Sequence, residues 1–226
     1  MPENPTGASF GAATNPHAFA IAAVSALAVQ QPVTLTMSWE ETQHFNGKRC
    51  PGLFNGSLAC DAEGRITALE ADMAGDHGAY HEQSDALLDR FVRFVGYPYH
   101  IPNASGLVRF GYTNHNHATA YRGFGSPQAS TCLEHLMDML ADQVGMDPFD
   151  FRALNIAREG DLTINGYPYR EYPMAEIFRT ARPIYEEMKA KAAAESTADK
   201  PRAVGVTCAV IAAPAAMATM PRYTWN

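Results

Sequence analysis

The chain has 226 residues, 46% of them hydrophobic and 18% charged, with a net charge of −7 at pH 7. That length is enough for one large or two small cored domains, and the composition excludes a disordered polypeptide. The acidic balance argues against nucleic acid or an anionic membrane surface as partner. The longest apolar run, Ala18 to Val29, falls short of the ~20 residues that span a bilayer. Met1-Pro2-Glu3-Asn4-Pro5 lacks a basic segment ahead of an apolar one, so no secretory signal is expected. Cys50, Cys60, Cys132 and Cys208 are scattered without a CxxC pair, which argues against a zinc knuckle or an iron–sulfur cluster in this chain and for reduced thiols in a cytoplasmic protein.

In chain order, residues 4–15 read as a tight loop around Ser9-Phe10-Gly11. A helix is predicted from Ala18 to Val29, with Pro16 in its first turn. Val33 to Ser38 alternates apolar and polar residues, which predicts a half-buried strand. Trp39-Glu40-Glu41 follows as a solvated turn, although Glu40 and Glu41 could form an acid/base pair. Two strands, Leu53 to Cys60 and Ile66 to Ala74, flank a short hairpin loop, Asp61-Ala62-Glu63-Gly64. Leu87 to Val95 reads as a helix, and residues 97–103 as extended because each proline disfavours helix before it. Leu107 to Thr113 is a strand candidate.

The clearest helix is Pro127 to Val144, with Ser126 as N-cap, an apolar face at Cys132, Leu133, Leu136, Met137, Leu140 and Val144, and Gly145 ending it. Asp147-Pro148 opens a second short helix through Ile156. A third spans Met174 to Ala194, where Pro183 is expected to bend or split it. Residues 195–202 form a polar linker, Val204 to Ile211 a last strand, and 212–226 a disordered tail. The irregular alternation with hairpins gives an α+β class: a mixed sheet with packed helices, not a doubly wound parallel sheet.

Two glycine-flanked aromatic turns could carry chemistry: Gly7-Ala8-Ser9-Phe10-Gly11, and Ala120-Tyr121-Arg122-Gly123-Phe124-Gly125-Ser126-Pro127-Gln128. Glycines let backbone approach a ligand, and a helix N-terminus favours anionic oxygens. Arg122 adds a forked cation. From spacing alone, a well-made helix entry without ligand is the favoured reading. Asp76, His77, His81 and Glu82 could hold a divalent metal, but a solvated or hydrogen-bonded strand end near the substrate channel is favoured; His115 and His117 straddle Asn116 and could face one way, but a metal there is disfavoured. Met137, Met139 and Met146 read as core filler.

The second turn closely resembles the A-F-R-G-[FY]-G-x-P-Q signature of the molybdenum hydroxylases. Collinear with it, Ser9-Phe10-Gly11 resembles the family's G-x-F-G loop, Gly47-Lys48-Arg49-Cys50-Pro51 its G-K-R-x-P segment, and Gly64-Arg65-Ile66-Thr67-Ala68-Leu69 its D-G-x-I-x-A-L strand. Ile101-Pro102-Asn103, Thr113-Asn114, Met137-Asp138 and Gly145-Met146-Asp147-Pro148 with Arg152 and Asn155 are also family-like. The similarity covers about residues 5 to 211 and is closer to the aldehyde oxidoreductase branch than to xanthine dehydrogenase.

The resemblance implies the first half of the family's molybdenum-cofactor-binding region. Residues 1–156 would form the first part of that domain, 157–211 a helix, linker and strand extension, and 212–226 the tail. Phe10, Gly11, Arg122 and Gly123 match positions beside molybdenum and its molybdopterin, in the cytosine dinucleotide form. Phe124, Thr14, Gln83, Ala86 and Arg90 match the substrate channel. Thr14 stands where purine-oxidising relatives carry a glutamate, which makes xanthine a poor substrate. Ala12-Ala13 departs from the family's usual Gly-Lys. The family's general base, a glutamate in a downstream glycine-rich loop, has no counterpart here, so no catalytic residue is assigned and the isolated chain is expected to be inactive. Expected partners are an aldehyde-type small molecule, the rest of the molybdenum subunit and its iron–sulfur modules. A non-catalytic remnant of the same fold, prone to self-association, is the alternative.

Overall fold

In the computed structural model of the protein, residues 10, 11 and 17–210 are described. They form α1 (His17–Val29), α2 (Trp39–Phe45), β1 (Gly52–Cys60), β2 (Ile66–Asp76), α3 (Ser84–Phe94), β3 (Ala104–Ser105), β4 (Val108–Gly111), α4 (Ser126–Gln143), α5 (Pro148–Asn155) and α6 (Met174–Glu195). The expected α+β class is found. The strands form one sheet in the order β1-β2-β3, with β4 also on β2. By contact the chain divides into two discontinuous compact units. The first comprises Met1–Asn55, Asp72–Val92 and Leu107–Gly125, and the second Gly56–Ala71, Arg93–Gly106 and Ser126–Asn226. The proposed tail at 212–226 lies outside the described residues. Among the described residues no helix is long and apolar enough to cross a membrane.

The second unit is built on the β1–β2 hairpin. Asp61 closes its turn: the Asp61 side chain accepts from Arg65 N–H at 2.8 Å and its main-chain N–H donates to Arg65 C=O at 2.9 Å. Leu69 and Glu70 of β2 pair in parallel with Ala104 and Ser105 of β3. Asn155, at the end of α5, ties this hairpin to the helices. Its Oδ1 accepts from Ile66 N–H at 2.8 Å and its Nδ2 donates to Gly64 C=O at 2.9 Å. Asp147 caps α5, accepting from Phe149 N–H at 2.8 Å, and also takes the Lys189 ammonium of α6 at 2.6 Å.

Of the apolar stripe read from the sequence, Leu133, Met137 and Leu140 are buried on α4, with Ala129 beside them, whereas Val144 is exposed. One charge is buried too. Arg152 is 0% exposed and donates to the Glu134 carboxylate at 2.8 Å, to the Glu134 carbonyl at 3.2 Å and to Pro148 C=O at 3.1 Å. Its Nη2 also pairs with Asp138 at 2.7 Å, and Glu134 accepts from the buried Tyr99 hydroxyl. Burial lifts the Tyr99 hydroxyl far above its ordinary range, so it stays a neutral donor to Glu134.

The first unit holds α1, α2, most of α3, the start of β1, the end of β2 and all of β4. Met73 to Asp76 of β2 pair in parallel with Val108 to Gly111 of β4. Leu87 and Phe91 of α3 are buried, with the Phe91 ring 6.4 Å from that of Phe54. Asp76 finishes β2 by accepting from Gly78 N–H at 2.7 Å and the Thr113 hydroxyl at 2.7 Å, with His115 Nδ1 at 2.7 Å. Burial works against the Asp76 charge, but these bonds outweigh it and hold the carboxyl at about 2 against an ordinary 3.8.

Two expectations are corrected, and so is the splitting of α6. Among the described residues Val33 to Ser38 joins no sheet. Ser38 instead caps α2 in a capping box, accepting from Glu41 N–H while the Glu41 carboxylate takes Ser38 N–H. Residues 204–210 alternate in burial as a strand does, yet they bond to no neighbouring strand among the described residues, so they are extended chain without a ladder; Ile211 lies outside the described residues. Pro183 does not split α6, which runs unbroken through it. Pro183 is exposed, and the bond it forfeits is on the solvent side of the helix.

Replacing Arg152 by Met strands a buried Glu134 carboxylate and is expected to cost about 3–5 kcal/mol in urea unfolding. Adding Glu134→Leu should recover most of that loss, and a double variant no better than the single one would contradict this account. Because the Asp76 value is depressed on folding, its stabilisation is complete above 3.8 and is lost as pH falls through about 2. The stability gap between wild type and Asp76→Asn is therefore expected at neutral pH and should close across that window; a gap that does not change with pH counts against it.

Candidate functional site

The two turns singled out in the sequence meet within the first unit. Arg122 N–H donates to Phe10 C=O at 2.9 Å, and Phe124 N–H closes the second turn on Tyr121 C=O at 2.8 Å. Both turns use left-handed backbone. Phe10 has φ 49° and Gly11 112°, while Gly123 has 92° and Phe124 37°. For the two phenylalanines that conformation is strained, and it persists only because the surroundings dictate it. Gly11 has a second reason to be glycine: a Cβ there would lie 2.0 Å from the Ala120 carbonyl oxygen. The close backbone approach is what lets the turns dock. The Phe10 and Tyr121 rings then stack at 6.3 Å and 30°.

Arg49 enters the same place from the segment between α2 and β1. Lys48 pairs with Ala118 as an isolated parallel bridge, Lys48 N–H donating to His117 C=O and Thr119 N–H to Lys48 C=O, both at 3.1 Å. That register sets Arg49 beside the second turn. Its Nη2 donates to Arg122 C=O at 2.7 Å, and its guanidinium carbon lies 4.7 Å from the Tyr121 ring centroid. Nη1 of Arg49 is buried without a hydrogen-bond acceptor among the described residues. The Arg122 guanidinium sits 6.0 Å from the Phe10 ring. The Gly123 amide donates to no main-chain acceptor among the described residues. An aromatic floor, two guanidinium groups and an unengaged amide make a donor-rich surface suited to anionic oxygens.

The predicted channel residues fall on and before α3. Gln83 C=O accepts from Leu87 N–H at 3.1 Å and so starts the helix. Gln83, Ala86 and Arg90 follow at three- and four-residue spacing, on one face. A Cβ on Gly125 would stand 3.0 Å from Arg90 Cβ and 2.9 Å from Leu87 C=O, so α3 packs directly against the second turn. Phe124 is half-buried there. Thr14 and the Ala12-Ala13 pair lie outside the described residues. In the sequence Arg49 stands out only as part of a family-like segment. No local pattern ties it to Arg122; the bridge through Lys48 does.

The weaker candidates separate. His77 stacks among rings, 4.0 Å from Phe110 and 5.3 Å from Tyr112, and burial, then the charge of His81, holds it below its usual value. His115 turns to Asp76, whereas the buried His117 faces Glu82, its Nε2 3.1 Å from Glu82 Oε2. Among the described residues no group of three or more His, Cys, Asp or Glu is arranged to hold a metal ion. Glu40 and Glu41 lie in the first turn of α2, with Glu41 committed to its cap. No cysteine is in a disulfide, and burial pushes the Cys50 thiol up to about 11.

Residues 1–156 match the molybdopterin cofactor-binding domain. Aldehyde oxidoreductase of Megalodesulfovibrio gigas is 39% identical over 207 residues, 92% of this chain and 23% of that protein. The nicotinate dehydrogenase large molybdopterin subunit of Eubacterium barkeri is 36% identical over 155 residues, 69% of this chain and 36% of that subunit. This chain thus spans only a minor part of the length of these curated relatives. Among solved structures, aldehyde oxidoreductase from Desulfovibrio gigas superposes with a TM-score of 0.83 at 39% identity, over 86% of this chain and 22% of that one. Quinoline 2-oxidoreductase from Pseudomonas putida 86, at 23% identity and a TM-score of 0.69 over 84% of this chain and 26% of that one, shares the fold. The chain belongs to the molybdopterin cofactor-binding domain family and has the fold of the matching region of aldehyde oxidoreductase.

Proposed function

We propose that this chain is the cofactor-holding and channel-forming portion of a molybdenum hydroxylase that oxidises aldehydes, or related carbonyl and heterocyclic carbons, with oxygen drawn from water. The observation that carries the reading is the Arg122 to Phe10 bond, which joins the two turns that the family resemblance marks as cofactor-binding. The donor set fits the group: the Gly123 amide and the arginines offer hydrogen bonds and positive charge where molybdopterin is rich in anionic oxygen. When bound, that cofactor supplies the two-electron oxidation, and the protein supplies position and electrostatics.

In this reading Phe10, Gly11, Arg122 and Gly123 hold the cofactor, in its cytosine dinucleotide form. Phe124, Thr14, Gln83, Ala86 and Arg90 line the channel by which a small aldehyde-type substrate arrives. Residues 1–156 act as the first part of the cofactor domain, and 157–211 reach toward the rest of the subunit. Iron–sulfur modules elsewhere in the complex carry electrons away, in the cytoplasm. The 39% identity to an aldehyde oxidoreductase favours aldehydes among the substrates of the relatives.

A second reading, a non-catalytic remnant that associates with itself, draws support from α1. That helix is almost wholly apolar and buries none of its residues; Phe19, Val24 and Leu27 are more than half exposed. Such a helix normally lies inside a protein or an interface.

Purified from a host that makes the cofactor, the chain is expected to carry molybdenum by elemental analysis, and Gly11→Ala, whose Cβ collides with the Ala120 carbonyl, should lower that content by about tenfold or more. A chain devoid of molybdenum would count against the reading. Light scattering separates the second reading: dimers or larger species that revert to monomer on Leu27→Glu support self-association through α1, and a wild-type monomer rejects it.

A further inference from the structure

We propose that Arg49 is a positioning residue of this site: by gripping the Arg122 carbonyl it fixes the direction in which the Gly123 amide faces an anionic ligand. The inference rests on the cofactor reading above and extends it to a residue that neither turn contains.

The argument starts from the peptide unit. Arg122 C=O and Gly123 N–H belong to one planar trans group, so they point in opposite directions and rotate together. Glycine at φ 92° would leave that plane loose. Two bonds remove the looseness. Arg122 N–H is anchored on Phe10 C=O at 2.9 Å, and Arg122 C=O accepts from Arg49 Nη2 at 2.7 Å. With the carbonyl held on the Arg49 side, the Gly123 N–H must project from the other. The guanidinium is itself held, by its position over the Tyr121 ring at 4.7 Å and by the Lys48–Ala118 bridge next to it in sequence.

Charge points to the class of ligand. Among the described residues, no carboxylate lies within ion-pair distance of Arg49 or Arg122, although the chain carries a net charge of −7. Nη1 of Arg49 is buried with no acceptor. A part-buried cation with an unused donor is costly unless something anionic accompanies it. The phosphate and other oxyanion groups of a pterin cofactor have that chemistry.

The test compares Arg49→Met and Arg49→Lys with wild type, all made as the full chain in a cofactor-producing host. Two quantities are read: molybdenum per chain, and hydrogen exchange of the Gly123 amide. Wild type should be loaded, with its Gly123 amide protected. Arg49→Met should retain about tenfold less molybdenum or lower. Arg49→Lys keeps the charge but not the fork, so it should load partly and leave the Gly123 amide exchanging faster than in wild type. Equal molybdenum and equal Gly123 protection in wild type and both variants would overturn the role of Arg49 while leaving the cofactor reading intact. An unloaded wild type would overturn both. Should Arg49→Met lose its helical melting transition, Arg49→Lys decides alone, by the same two readouts.

Discussion

The candidate site exists because two backbones touch. Gly11 lies so near the Ala120 carbonyl that any side chain would collide with it, and the Phe10 carbonyl takes the Arg122 amide. These segments are more than a hundred residues apart, so bringing them together costs loop entropy that purely local bonds could not offset. The closure is sustained by what lies around it: the stacked Phe10 and Tyr121 rings, the guanidinium of Arg49 above one of them, and α3 pressed against Gly125. The left-handed phenylalanines are the strain this geometry tolerates. Strained backbone concentrates at sites where position matters more than stability.

Much of this was legible in the residues themselves. The helical stripe of α4, the Asp147-Pro148 entry to α5 and the Asp61 turn are local signals, decided within a few residues, and they reappear where expected. The errors have equally local causes. Ser38 and Glu41 stand at capping-box spacing, yet the alternation of Val33 to Ser38 masked a helix start that those two residues encode. The stretch at 204–210 alternates as a strand should, but a strand also needs a neighbour, and alternation says nothing of one. Arg49 illustrates the limit of pattern reading. Its meaning comes from a bridge between Lys48 and Ala118, a contact between distant segments that no window of sequence contains.

The second unit solves a different problem. Its helices enclose a cation, Arg152, and an anion, Glu134, with Tyr99 as a neutral third member. Every donor of such a group must be met, or the enclosed charge becomes a liability. Here the carboxylate, two carbonyls and Asp138 meet the guanidinium, which also lies on the α4–α5 contact. The trio adds little net stability over a greasy equivalent; what it adds is a single allowed register between those helices. Asn155 extends the same logic to the hairpin, serving main-chain groups of two segments at once.

The extended stretch at 204–210 carries a consequence of its own. Its inward side is seated, with Cys208 buried and the Val210 carbonyl bonded to Ser126, while the remaining peptide groups lack a ladder among the described residues. A line of open amides and carbonyls beside valine side chains is a template on which another extended segment can grow. To any other extended segment, that template offers a place to add as a neighbouring strand. In a concentrated solution of the chain alone, it is a seed for edge-to-edge aggregation, and a lysine or proline placed on its outward positions is how such an edge is ordinarily blunted.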